Sequence, residues 1–167
     1  VYESALQLVK EQNTPEAQGD LGVAYNKVGD ILQVLGKLDA ALENYKRGLA
    51  IAKEVEKVEN TIWSRSNLSM SYNNVGGILE VLGSLEGAKE NYRKSLEIRK
   101  KLSEEQNTPE VLRDLSISYD HVGDIMEVQG NFPSALDNYQ RSYSIRNGLI
   151  KEQSTPKLRR DLSISYN

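Results

Sequence analysis

The chain has 167 residues, 38% of them hydrophobic, and a net charge of -3 with acids and bases well mixed. That is enough apolar material for a substantial core, and no basic face advertises nucleic acid or an anionic membrane. The absence of cysteine excludes disulfides and thiolate metal sites and agrees with a reducing, cytoplasmic setting, while no apolar run approaches the ~20 residues of a membrane span.

A period of 47 residues organises everything else. Tyr25, Tyr72, Tyr119 and Tyr166 are 47 apart, as are Gly29, Gly76 and Gly123, then Gly36, Gly83 and Gly130, then Tyr45, Tyr92 and Tyr139. A fixed period of this size is the signature of a repeat array. Residues 1–14 read as the end of a preceding second helix, with Glu11-Gln12 answering Glu105-Gln106 and Glu152-Gln153. Copies follow at 15–61, 62–108 and 109–155, and 156–167 opens a fourth. The expectation is a single array excised from a longer protein.

Within the first copy, a first helix is expected from Pro15 to Leu35 and a second from Leu38 to Lys57. Thr14-Pro15, Thr108-Pro109 and Thr155-Pro156 place a capping hydroxyl before a proline in the first helical turn, where the missing N–H costs nothing. Gly36, Gly83 and Gly130 stand where the first helix must end and the chain turn back.

At 100° per residue the first helix gathers Gly22, Asn26, Asp30 and Gln33 into one narrow polar arc. Leu21, Ala24, Tyr25, Val28, Ile31, Leu32, Val34 and Leu35 fill most of the rest, so this helix should be packed on several sides. The second helix is simpler. Ala41, Leu42, Tyr45, Leu49, Ala52 and Val55 make one apolar stripe, opposed by Asp39, Glu43, Lys46, Arg47, Ala50, Lys53 and Glu54. Glu43–Arg47, Glu90–Lys94 and Asp137–Arg141 are acid-then-base pairs at i, i+4, worth about 0.2–0.5 kcal/mol each. First helices should line the inside and second helices form the outer wall. Gly29, Gly76 and Gly123 fall mid-helix, where glycine costs about 1 kcal/mol relative to alanine. Their recurrence opposite Ala41, Ala88 and Ala135 predicts a close approach of the two helices.

These residues resemble a tetratricopeptide repeat. Tyr25, Val28-Gly29, Leu32, Gly36 and Ala41-x3-Tyr45 follow the family pattern. Tyr72, Val75-Gly76, Leu79, Gly83 and Ala88-x3-Tyr92 follow it again, as do Tyr119, Val122-Gly123, Met126, Gly130 and Ala135-x3-Tyr139. The family repeat is about 34 residues, so each helix here should be longer by one to two turns, a long form similar to arrays in kinesin light chains and bacterial signalling proteins. HEAT and armadillo repeats share the period, but the glycine and Ala-x3-Tyr positions argue against them. The resemblance implies an all-α, right-handed superhelical solenoid of antiparallel helix pairs. It also implies a protein-interaction scaffold whose first helices bind a peptide or protein segment.

Carried over by position, the binding residues are Val23, Asn26, Lys27, Asp30 and Gln33, then Met70, Asn73, Asn74, Gly77 and Glu80, then Ile117, Asp120, His121, Asp124 and Glu127. Asn26, Asn73 and Asn167, with Asp120 in the same column, are expected to form a ladder of amide and carboxylate groups suited to a peptide backbone. Asp30, Glu80, Asp120, Asp124 and Glu127, opposed by Arg113, favour a neutral or basic ligand. A clamp for an acidic C-terminus needs Lys or Arg where this chain has Asn26, Asn73 and Asp120, and only Lys27 and Arg113 lie close.

Other signals are weak. Asn44, Asn91 and Asn138 edge the buried stripe and are expected to bond between helices. His121, beside Asp120 and Asp124, has neither nucleophile nor second histidine, so no catalytic residue, metal or cofactor is expected. Gly29 to Gly36-Lys37 has six residues between glycines where a phosphate loop needs four. Asn67-Leu68-Ser69 matches a glycosylation pattern by chance, inside a helix. Trp63 stands where other copies have Glu110 and Lys157, and either caps the core or offers a contact. Two alternatives to a plain scaffold remain: a regulatory array within a larger signalling protein, and head-to-tail self-association through exposed half-repeats at Leu6 and Val9 and at Leu162, Ile164 and Tyr166.

Overall fold

The computed structural model describes residues 14–164, with side chains through Lys151. Six helices follow in order: α1 Pro15–Val34, α2 Leu38–Glu59, α3 Ile62–Val81, α4 Leu85–Glu105, α5 Pro109–Val128 and α6 Phe132–Ile164. They pack as sequential antiparallel pairs, an all-α arrangement. The chain divides into two units, Val1–Leu102 and Ser103–Asn167.

In the first unit the helix boundaries follow from local chemistry. Thr14 is extended and its hydroxyl accepts from the Ala17 N–H at 3.2 Å, with Pro15 in the first turn. No proline opens α3. There Thr61 and Ser64 cap each other: the Ser64 N–H donates to Thr61 Oγ1 at 3.1 Å and the Thr61 N–H to Ser64 Oγ at 2.9 Å, a reciprocal box. Gly36 and Gly83 adopt φ of 72° and 78°. The Gly36 N–H then reaches the Gln33 carbonyl and the Lys37 N–H the Leu32 carbonyl, which satisfies two carbonyls left over at the helix end. Asn60 closes α2 at φ 45°, a left-handed conformation that asparagine tolerates better than most residues.

The core of this unit joins α2 to α3. Ala41, Tyr45, Leu49 and Ala52 meet Leu68, Val75 and Ile78, flanked by Leu32, Leu42, Tyr72 and Leu79. Each large apolar side chain so buried contributes about 1.5–3 kcal/mol. The stripe expected on the second helix is the buried one, and Asp39, Glu43, Lys46, Arg47, Ala50, Lys53 and Glu54 are all exposed. The first helix is less enclosed than its composition predicts. Ile31, Val34 and Leu35 are exposed, although Ile78, in the column of Ile31, is fully buried. The helix α3 has α1 and α2 on its preceding side, and no described element stands there for α1.

Two expectations about packing need correction. The mid-helix glycines do not face the alanines: a Cβ at Gly29 or Gly76 would lie 2.6 or 2.7 Å from the ring of Tyr45 or Tyr92. The aromatic ring, not the alanine, occupies the space a side chain would take. Asn44 and Asn91 do not bond between helices either. Each Nδ2 donates at 2.8 Å to the carbonyl four residues back in its own helix, Ala40 and Gly87, which is the nearest acceptor a short amide can reach.

The second unit repeats the plan with α5 and α6. Thr108 caps α5 through the Val111 N–H at 3.4 Å, and Gly130 turns the chain at φ 74°. Val111, Leu115, Tyr119, Val122, Ile125 and Met126 of α5 are buried, with Ala135 and Leu149 of α6. Gly123 lies under Tyr139, whose ring would be 2.6 Å from an added Cβ, and Asn138 bonds the Ser134 carbonyl at 2.8 Å.

The break expected at Thr155-Pro156 is absent, because α6 runs unbroken to Ile164. At the two breaks that do form this column holds Asn60 and Asn107, and the third copy has Ser154 there instead. Leu6, Val9 and Tyr166, and the side chains of Leu162 and Ile164, lie outside the described residues, as does Asn167.

Candidate functional site

On the first unit the residues singled out along α1 and α3 fall into two groups. Lys27, Asp30 and Met70 are exposed, and Val23, Gln33, Asn73, Asn74, Gly77 and Glu80 are half-buried. Asn26 stands apart from both. It is only 4% exposed, its Nδ2 donates to Ser71 Oγ of α3 at 3.1 Å, and a Cβ at Gly48 of α2 would lie 2.5 Å from its Oδ1. The expected amide ladder therefore does not begin at Asn26, which joins three helices instead. A helical wheel shows that Asn26 shares an arc with Asp30, but not that α2 and α3 close over it.

The acidic groups of this face are held from behind by tyrosines. The Tyr45 hydroxyl lies 2.8 Å from Asp30 Oδ1 and 3.0 Å from Gln33 Oε1. The Tyr92 hydroxyl donates to Glu80 Oε2 at 2.8 Å. Burial pushes the Tyr45 phenol well above its ordinary range, and the Asp30 carboxylate, bonded to it and negative, adds to the effect. A ring that fills the space over Gly29 thus ends in a hydroxyl that fixes a carboxylate on the outer rim. The 12-residue spacing recurs in all three copies and the 15-residue one in the first and third, since Gly77 stands in the column of Asp30 and Asp124.

The second unit presents Ile117, Asp124 and Glu127 as exposed groups and Asp120 and His121 as half-buried ones. Tyr139 stands to Asp124 and Glu127 as Tyr45 does to Asp30 and Gln33, at 2.8 and 2.7 Å. Burial and the two carboxylates, Glu127 before Asp124, raise the Tyr139 phenol too. Asp120 is not an open rung. It is ion-paired with Arg146 of α6, whose Nε also donates to Ser116 Oγ at 3.2 Å. Among the described residues no three His, Asp or Glu side chains converge on a point that could hold a metal ion, and no helix is long and apolar enough to cross a membrane.

Comparison with known families places this geometry. The sequence profile of the tetratricopeptide repeat matches residues 23–54, and a second profile of the same description matches residues 68–110. The chain is a tetratricopeptide-repeat protein. Among solved structures it is similar to BtubC (BKLC) from P. vanneervenii, at 24% identity over 89% of this chain and with a TM-score of 0.69. It is similar also to MamA, at 17% identity over 89% of this chain and 80% of that one, with a TM-score of 0.58. These likenesses speak for the fold. The chain spans 55% of the length of BtubC. Comparison with curated proteins finds no match. Tetratricopeptide repeats are generally protein-interaction modules and typically non-catalytic, and no catalytic domain is matched.

A second set of contacts recurs with the tetratricopeptide period. Arg47 lies over the Tyr25 ring at 5.9 Å, Lys94 over Tyr72 at 5.7 Å and Arg141 over Tyr119 at 5.9 Å. The same three bases pair with Glu43, Glu90 and Asp137. Each i, i+4 pair on the second helix is thereby tied to an aromatic ring on the first, a cation–π contact of about 0.5–1 kcal/mol at an exposed site. The sequence shows the acid–base pairs; the aromatic third member lies on another helix and is visible only in three dimensions.

Proposed function

We propose that the chain binds a protein or peptide segment along the exposed faces of its first helices, and that the segment is neutral to basic with apolar anchors. The observation that carries this reading is one column of the repeat. Val23, Met70 and Ile117 share a position, yet Met70 is 38% and Ile117 37% exposed, on helices whose other large apolar groups are mostly buried or at the turns. Exposed methionine suits an adaptable contact. Beside that column stand Lys27, Asn74 and His121, and beyond them Asp30, Glu80, Asp124 and Glu127, whose carboxylates the tyrosines hold in place. Carboxylates fixed in advance lose less freedom on meeting a cationic side chain than mobile ones do. Acids that are already oriented would also repel an acidic tail.

The test is selection of displayed peptides against the whole chain, followed by titration of a selected basic peptide and its Lys→Glu counterpart. The basic peptide should bind more tightly, and Met70→Asp should weaken it. Equal or tighter binding of the acidic counterpart would overturn the charge preference. Undiminished binding by Met70→Asp together with Ile117→Asp would remove the assigned face.

A further inference from the structure

Two residues of the first unit depart together from the repeat. Trp63 replaces the glutamate of Glu16 and Glu110, and Gly19 stands where Ser66 and Arg113 do in the other copies. The departures fit each other. A Cβ at Gly19 would lie 2.2 Å from Cη2 of the Trp63 indole, so the ring rests on bare backbone of α1 while 44% exposed on its other side. Trp63 and Gly19 form part of the wall of a cavity of about 10 Å³ between α1, α2 and α3, whose polar lining is Asn26, Asn67, Ser64 and Ser71.

The polar groups of that lining can be accounted for one by one. Ser64 Oγ is engaged in the cap, donating to the Thr61 carbonyl at 3.0 Å and accepting the Thr61 N–H. Ser71 Oγ accepts from Asn26 Nδ2. Two atoms are buried without a protein partner, Asn26 Oδ1 and Asn67 Nδ2. One is an acceptor and the other a donor. Side chains as enclosed as Asn26 are rarely left in that state in folded proteins.

We propose that this cavity is a binding site for a single water molecule, which donates to Asn26 Oδ1 and accepts from Asn67 Nδ2. Space decides the size of the occupant, since one water needs roughly 10–15 Å³ on this measure. Chemistry decides its kind: an ammonium ion or other pure donor satisfies Asn26 but cannot accept from Asn67. The water links α1 of the first copy to α3 of the second, beside the Ser71 bond, and Trp63 shields it from solvent. The pairing of Trp63 of the second copy with Gly19 of the first, where the next pair of copies has Glu110 and Ser66, then covers the site.

A crystal structure of the whole chain at about 1.5 Å tests this directly. One ordered water should lie about 2.6–3.2 Å from both atoms. A dry cavity, or amides turned so that Asn26 and Asn67 bond each other or other groups, would overturn the assignment. In solution the Asn67 side-chain amide should show a cross-peak to a long-lived water, and Asn67→Leu, with its helical circular dichroism intact, should abolish the ordered water. Density for the unchanged protein decides the matter even if that variant does not fold.

Discussion

The side chain missing from Gly29 is the space that the Tyr45 ring fills: a Cβ there would lie 2.6 Å from the ring. Glycine at 29, 76 and 123 should therefore resist replacement by alanine, although alanine is the better helix former by about 1 kcal/mol. Gly29→Ala, Gly76→Ala and Gly123→Ala are each expected to destabilise the chain by roughly 1–3 kcal/mol, as overpacking does. Chemical denaturation would measure it; stabilisation by any of the three would show that the ring moves aside at no cost.

Tyr45 and Tyr139 keep their phenol protons to higher pH in the folded chain than in the unfolded one, where tyrosine ionises near about 10. Below that value both states hold the proton and the contribution is fully present. Above it the unfolded chain releases its protons first, so stability should fall as pH rises through the folded values. Denaturation midpoints taken from pH 8 upward should stay level and then drop. Tyr45→Phe with Tyr139→Phe should flatten that drop, and an unchanged slope would show that neither phenol is held.

Asn26 and Lys27 are neighbours in sequence with opposite expected roles. Asn26→Ala leaves Ser71 without its buried donor and should cost about 1–3 kcal/mol. Lys27→Ala, at an exposed position, should change stability by no more than about 0.5 kcal/mol. Thermal melts compare the two; equal effects would mean that Asn26 is not the joint between α1 and α3.

Asn60 is the one described non-glycine residue with positive φ. Asn60→Ala should destabilise by about 1–2 kcal/mol, and Asn60→Gly should be neutral or stabilising. If alanine were tolerated as well as glycine, the left-handed stop at the end of α2 would carry no strain for asparagine to relieve.

The helices, their turns and the division between first and second helix were legible because each depends on neighbours in sequence: a capping threonine, a proline, a turn glycine, an apolar stripe. The Thr61–Ser64 box was passed over because that copy lacks the proline of Thr14-Pro15. What depends on a second helix was harder to read. The glycine columns were recognisable as close contacts, but not the tyrosine rings that fill them. The asparagine column 44, 91 and 138 looked like a bond between helices and is a bond within one. Of the candidate face carried over from the family resemblance, Lys27, Asp30, Met70, Ile117, Asp124 and Glu127 are exposed. Asn26 and Asp120 are taken up by Ser71 and Arg146, partners 45 and 26 residues away.

The central claim is that ligand meets the first helices and not the charged second ones. Photo-crosslinking with a selected basic peptide tests it most directly, with the reactive group placed at Met70, at Ile117, or at the exposed Arg93 of α4. Adducts are expected from Met70 and Ile117 and none from Arg93. Adducts from Arg93 alone would contradict it.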